Sequence, residues 1–305
     1  MTITKNEQAL QEIRKGNKRK YFIEGFSSRL FLTCALTAVI SLLLIVGFVV
    51  WQGATPFVTG QYKLIDFLFG KEWVPSEGIF GIWPMIVASI YATIGALFIG
   101  VPVGLFTAIF LAEIAPKKVA AIVSPAIQLL AGIPSVLYGV FGLAIIVPFL
   151  QNTIGLARGQ SLIAVIIVLA IMMLPTIVTV SETAIRAVPK AYKEGSLALG
   201  VSEIGTIFKV IVPAAKSGIL AAIVLGLGRA IGETMAVILV AGNALIVPTS
   251  LSDSIRPLTT NIALEMGYAA GIHQQMLFAT GIVLFGFIII LNIVLAKLSS
   301  KGEKS

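Results

Sequence analysis

Residues 162–180 read LIAVIIVLAIMMLPTIVTV, a run without a single Asp, Glu, Lys or Arg. A helix needs about 20 predominantly apolar residues to cross ~30 Å of hydrocarbon, so this run predicts a membrane-spanning helix. Five further runs share its apolar character, at 30–51, 85–112, 123–150, 218–247 and 276–296. With 57% hydrophobic and only 12% charged residues over 305 positions, the chain lacks the polar side chains that would coat a water-soluble globule. The alternation of about ten residues that marks an outer-membrane barrel strand is missing. The expected fold class is therefore an all-α integral membrane protein with six transmembrane helices.

The first run is about 22 residues long, beyond the 7–15 of a signal-peptide core, and no Ala-x-Ala follows it. It is read as a retained span. Basic residues set the orientation, because Lys and Arg collect on cytoplasmic loops. An inside N-terminus puts Lys5, Arg14, Lys15, Lys18, Arg19, Lys20, Arg29, Lys117, Lys118, Arg186, Lys190, Lys193, Lys209, Lys216, Lys297, Lys301 and Lys304 on the cytoplasmic side. Only Lys63, Lys71, Arg158 and Arg256 fall outside. Both termini are then cytoplasmic, with a basic tail at 1–29, a six-helix membrane domain at 30–296 and a short tail at 297–305. The net charge of +8 reflects this topology, and no nucleic-acid partner is expected. The lone Cys34 lies inside an apolar run, so neither a disulfide framework nor a cysteine metal site can be built.

So little chain lies outside the bilayer that a second soluble domain has no room. Two outer segments are modest, at 52–82 and at 248–275, the latter able to carry a short surface helix around 261–268. His273, the only histidine, sits at the outer start of the last span and is read as an ordinary surface residue. The sizeable inner loop is 181–217. Within it, 190–200 is rich in good helix formers and Gly200 can stop the helix; 203–212 restarts, and Pro213 breaks the chain before the fifth span. Two short helices at an angle follow.

This loop resembles the cytoplasmic motif of ABC importer permeases: Glu-Ala-Ala, three residues, Gly, nine residues, Ile-x-Leu-Pro. Glu194, Gly195, Ser196, Gly200, Val210, Val212 and Pro213 occupy those positions, with Gly195 and Ser196 in place of the two alanines and valines in place of the aliphatic pair. The resemblance implies an ABC importer permease fold and a coupling helix that docks on an ATPase. The bland alternative is an amphipathic loop that merely caps the bundle. The chain contains no Gly-x4-Gly-Lys-[Ser/Thr], the loop that cradles nucleotide phosphates. ATP would therefore be bound by a partner subunit; this chain needs no cofactor, and no catalytic residue or metal site is expected in it.

An ionisable group at mid-bilayer costs about 2.5–3.5 kcal/mol even on lenient insertion scales. Two are found within the runs, Arg229 and Glu233. Their i, i+4 spacing puts them on one helix face, one turn apart. Two readings stand: a pair that only neutralises itself, or an Arg229 donor fork offered to a passing oxyanion with Glu233 holding the fork.

The stretch Gly228-Arg229-Ala230-Ile231-Gly232-Glu233-Thr234-Met235-Ala236-Val237, followed by Val240-Ala241-Gly242-Asn243, resembles the signature of permeases in phosphate ABC importers. Met235-Ala236 follows the core where the PstA type continues with Ala-Pro, so the resemblance is to the PstC type. A second stretch, Ala131-Gly132-Ile133-Pro134-Ser135-Val136-Leu137-Tyr138-Gly139-Val140-Phe141-Gly142, resembles the Gly-Ile-Pro-Ser-Val segment of the same permeases. The resemblance implies alternating access in the inner membrane. Its partners would be a PstA-like second permease, a PstB-like ATPase dimer, a PstS-like periplasmic phosphate-binding protein and membrane lipid. The substrate pathway would include Arg229, Glu233, Thr234, Ser135 and Tyr138. A PstA-type permease, or one for sulfate or molybdate, is the alternative.

Physical reading of the same segments adds packing. Gly228 and Gly232, like Gly100 and Gly104, are small residues four apart that let helix backbones approach closely. Pro102, Pro134 and Pro175 kink or unwind their spans, as plain packing kinks or as hinges. Ser135 and Tyr138 offer hydroxyls either to an anion or to backbone carbonyls. A secondary transporter would need a free mid-membrane acid for its coupling ion, and an intramembrane enzyme a nucleophile and base; neither set is present.

Overall fold

A computed structural model describes the backbone of residues 2–156 and 158–301, with side chains for 20–153, 155, 156, 158–294 and 297. The tail beyond residue 301, and the side chains of the basic tail up to residue 19, lie outside the described residues. The chain divides into two units between Gln52 and Gly53.

Helix α1, Thr2–Val58, has no periodic polar face. The Lys20–Val58 stretch buries none of its most apolar window, as expected of a helix whose neighbours are lipid tails.

In the second unit, α2 (Leu64–Phe69) leads into a two-stranded hairpin of β1 (Trp73–Val74) and β2 (Ile79–Phe80), with Trp73 opposite Phe80. Helix α3 (Trp83–Ile114) follows, its last turn, Phe110–Ile114, wound as a π-helix. Then come α4 (Lys117–Ala131), α5 (Ser135–Thr153) and α6 (Leu162–Arg186). Beyond α6 lie α7 (Lys190–Ala198), α8 (Glu203–Ala214) and α9 (Lys216–Ile231), the last two bent by 70°. Finally α10 (Met235–Val240), α11 (Leu258–Glu265) and α12 (Ile272–Lys301) complete the chain. Among the described residues, five helices are long and apolar enough to span a membrane, six with the bent pair α8–α9 taken as one.

Helix α6 is the axis: 61% of its apolar window is buried, the highest share among the spans. Lipid offers no hydrophobic gain for helix association, so contact depends on close backbone approach at small residues. Gly100 meets the Ala170 backbone, Gly104 and Gly226 meet Ile177, and Gly95 meets Ile166. α3 and α9 thus clasp α6. Its first turn is capped by a loop: Leu162 N donates to Asp253 O at 2.8 Å and Ile163 N to Leu251 O at 2.9 Å. Amide donation from Thr249 and Ser250 in turn holds the Asp253 carboxyl below the usual carboxylate range.

Three expectations are corrected. The third span begins at Ser135 rather than residue 123, because Pro134 has no N–H to continue a helix across Gly132–Pro134; Lys117–Ala131 is a separate helix with no buried residue. The fifth span stops at Ile231, and beyond Val240 the chain turns at Gly242 and Asn243, both with positive φ. The helix expected on the surface at 261–268 lies at Leu258–Glu265, where five of its eight residues are buried.

Of the four small residues named for packing, Gly100 and Gly104 contact α6. Gly228 and Gly232 are exposed, and among the described residues a Cβ added at either would meet no other helix within 4 Å. A Cβ at Gly104 would sit 2.7 Å from Ile177 Cγ2. Gly104→Val should therefore cost about 1–3 kcal/mol by overpacking. Thermal unfolding in detergent should show a clear drop for this variant and none for Gly228→Ala; equal drops would contradict the packing described.

Candidate functional site

Two interrupted helices meet at the middle of the bundle. Ahead of α5, the Tyr138 hydroxyl donates to Leu130 O at 2.7 Å, closing over the gap that Pro134 opens. Behind α9, the Gly232 and Glu233 amides still bond back to Gly228 O and Ala230 O, and then the helix ends. The Glu233 carboxylate accepts from Ala236 N at 3.0 Å, which starts α10 in the manner of a cap. Thr259 of α11 donates to the Glu233 carbonyl at 3.0 Å. A Cβ at Gly139 would lie 2.7 Å from Ala236 Cα, and one at Gly142 would strike Val168 and Val240. The two stretches 131–142 and 228–243 are thus packed closely, Gly139 against the Ala236 backbone and Gly142 against the Val240 side chain, with no room at either glycine for a side chain.

The expected Arg229–Glu233 pair does not form. The i, i+4 argument requires a continuous helix, and the helix ends at Gly232, which turns Glu233 into the interior (9% exposed). Arg229 remains half-buried, with no ion pair among the described residues. It lies within electrostatic reach of Tyr138, so the structure does bring the two stretches together at this residue. Thr234 is half-buried, its hydroxyl on Gly232 O at 3.3 Å; Ser135 is half-buried in the first turn of α5. The Tyr138 proton is committed to a carbonyl, so its hydroxyl is no free donor. Beside Glu233 lies a cavity of about 20 Å³, lined by Ser89, Thr93, Ala230 and Thr259 among others. That volume suits one water molecule and no tetrahedral oxyanion. Any anion that meets Arg229 must come from its open side.

At the C-terminal end of α6 come the two expected short helices, α7 and α8, with Gly200 at φ +82 as the stop between them and Pro213 in the last turn of α8. Glu194 and Gly195 are exposed. Ser196 is buried, its hydroxyl 2.9 Å from that of Thr206, so it joins the two helices instead of lying on the outer surface. Leu199, Ile204 and Tyr192 are 86%, 66% and 54% exposed. Apolar side chains crowded on so short a polar loop mark a protein contact.

His273 is also corrected. It is no surface residue: its Nε2 lies 2.8 Å from Glu265 Oε2, which also accepts from Trp73 Nε1 at 2.8 Å. Arg256 bonds the other Glu265 oxygen at 2.8 Å and, through Nε, Asn243 O at 3.0 Å. This knot anchors α11, whose opposite end holds Glu233. The sequence signal was a single acid, Glu265, in a weakly apolar stretch, with its partners eight to 192 positions away.

Broken spans around an arginine, together with a pair of short helices displaying an apolar contact patch, define a membrane permease worked by a separate subunit. The chain belongs to the family described as binding-protein-dependent transport system inner membrane component, whose model matches residues 100–302. It is 38% identical over 274 residues to the probable ABC transporter permease protein YqgH of Bacillus subtilis, covering 88% of this chain and 89% of that one. It is 34% identical over 293 residues to the phosphate transport system permease protein PstC of Haemophilus influenzae, covering 88% and 91%. Among solved structures, the inward-facing MetNI methionine ABC transporter shares the fold, with a TM-score of 0.52 at 22% identity over 73% of this chain and 94% of that one.

Because Arg229 has no ion-pair partner among the described residues, Arg229→Gln should leave the chain's stability within about 0.5 kcal/mol. Glu233→Leu removes the bond to Ala236 N and should cost about 1 kcal/mol, while Glu233→Gln keeps an acceptor there. Thermal unfolding of the isolated chain separates the three; a large loss for Arg229→Gln would point to an ion pair after all.

Proposed function

We propose that the chain is one of two permease subunits of an ATP-driven phosphate importer, forming half of the pathway for inorganic phosphate. The observation that carries this is the close packing of 131–142 against 228–243 around an arginine with no ion pair among the described residues. Relatives named as phosphate permeases match the chain over nearly its whole length. In this reading the exposed Gly228 and Gly232 face a PstA-like second permease, so the open side of Arg229 lines the passage between subunits. Arg229 offers phosphate a bidentate donor fork, with the Ser135 and Thr234 hydroxyls nearby in the two chain breaks. Glu233 holds the shape of its break, and release of the anion does not depend on Glu233 competing for the arginine.

Helix α7, with Glu194, Gly195, Gly200 and the patch Leu199, Ile204 and Tyr192, docks on a PstB-like ATPase dimer at the cytoplasmic face. A PstS-like binding protein delivers phosphate on the other side. The chain itself hydrolyses nothing.

Deleting the chain should abolish uptake of labelled phosphate at low concentration and spare sulfate and molybdate. Arg229→Gln should lower phosphate uptake by about 10- to 100-fold, the loss expected for a hydrogen-bonding group that is charged, with assembly intact. Loss of sulfate or molybdate uptake instead would assign a different oxyanion. Docking has its own test at Gly195, an exposed helical position with nothing within 4 Å of an added Cβ. Gly195→Trp leaves this chain folded but should prevent copurification of the ATPase. Gly200→Trp is a poorer probe, since its positive φ strains any side chain. Full ATPase recovery with Gly195→Trp would remove α7 as the docking element.

A further inference from the structure

Helix α7 reaches the spans through more than the chain that follows α6. At the end of α3, Ala115 N bonds Phe110 O, and the next residue, Pro116, has no N–H. The Leu111 carbonyl is thereby left without a backbone donor in register. Arg186, in the last turn of α6, supplies one: its Nη2 lies 2.6 Å from Leu111 O. The same guanidinium grips Glu182 at 2.9 Å, and Glu182, 9% exposed, takes the Ser124 hydroxyl of α4 on both oxygens at 3.0 and 3.1 Å. From α7 itself, Lys193 Nζ reaches Glu113 of the π-turn at 2.6 Å.

Between these groups lies a cleft of about 480 Å³, bordered by Glu113, Lys117, Arg186, Pro189, Lys190 and Lys193. Side chains do not fill the space between α7 and the end of α3, so the Lys193–Glu113 pair crosses a gap. Motion passes through packed cores by contact, but across an open cleft it passes through bonds.

We propose that Glu113, Glu182, Arg186 and Lys193 are positioning residues that clamp the coupling helix to α3 and α4, so that ATPase movement at α7 carries those helices with it. The clamp rests on the importer reading above for its driving force. Its geometry assigns one bond directly from α7, Lys193–Glu113 to α3, and a second set from the end of α6 that leads into α7: Glu182–Ser124 to α4 and Arg186 to the Leu111 carbonyl of α3. Among the described residues, Lys193–Glu113 is the ion pair that links α7 to α3.

The test uses the complex purified with its ATPase. Glu113→Lys and Lys193→Glu each set like charges together; each should lower phosphate uptake per ATP hydrolysed about tenfold, a coupling of the size usual within one ion-pair network. ATPase binding should persist. The double swap, Glu113→Lys with Lys193→Glu, should restore uptake, an outcome that loss of a merely structural residue would not give. A swap no better than the single variants would overturn the proposal. A second readout needs no transported substrate: spin labels at Lys118→Cys in α4 and Leu197→Cys in α7, in a Cys34→Ala background. Their separation should stay fixed on nucleotide addition and change once Glu113→Gln and Glu182→Gln are introduced. A nucleotide-driven change of equal size with the clamp intact would overturn it too. If the unsubstituted complex hydrolyses ATP yet moves no phosphate, the importer reading fails and the spin-label distances alone decide the clamp.

Discussion

Hydrocarbon cannot hydrogen-bond a backbone amide or carbonyl, and the architecture depends on that constraint. Two helices are broken within apolar stretches of the chain, where each freed group would cost several kcal/mol if left bare in hydrocarbon. The breaks survive because each supplies its own substitutes. Tyr138 answers the Leu130 carbonyl and Glu233 the Ala236 amide, while Thr259 answers the Glu233 carbonyl. Just beyond, the Asn243 side chain donates to Ile238 O where α10 has ended. Polar residues that look like transport chemistry in the sequence are, in part, the fittings that let a helix stop inside a membrane.

The same constraint explains why α11 is tucked inward. A short helix with unsatisfied ends can be buried only if its neighbours complete it. Ser89 of α3 accepts from the Leu258 amide, and the Glu265 knot closes the other end. Glu265 is a buried carboxylate matched to one guanidinium, Arg256, with Trp73 and His273 completing its bonds. An acid so placed costs energy unless all its partners are present, which ties the hairpin, the 241–257 loop and the last span into one assembly.

Much of this was legible beforehand, and the failures share a cause. The spans, the two short helices α7 and α8, the role of Gly200 as stop and the packing of Gly100 and Gly104 all follow from local pattern: apolar length, helix breakers and small residues four apart. Arg229–Glu233 pairing was also a local argument, and it failed because a period of 3.6 says nothing about where a helix ends. Gly228 and Gly232 obeyed the small-residue rule, yet among the described residues no helix packs against them. His273, Glu265 and Arg256 could not be read at all: Trp73 and Glu265 are 192 positions apart, and only the fold makes them neighbours.

What remains is the reason a half-buried arginine should be left without a counter-ion. A permanent partner would suit stability, but an anion would then have to displace it, and the site would lose most of what it offers. An arginine with no partner but facing hydrocarbon would be prohibitively costly. In the importer proposed above, the position between these limits faces a polar passage between subunits, where water and a passing oxyanion would share the work of solvating the guanidinium. The exposed glycines Gly228 and Gly232 put another helix backbone within reach of that passage, and the 20 Å³ cavity behind Glu233 gives the anion no deeper place to lodge. A charge arranged this way holds an oxyanion long enough to pass it on and no longer, which is what a pathway requires and a storage site does not.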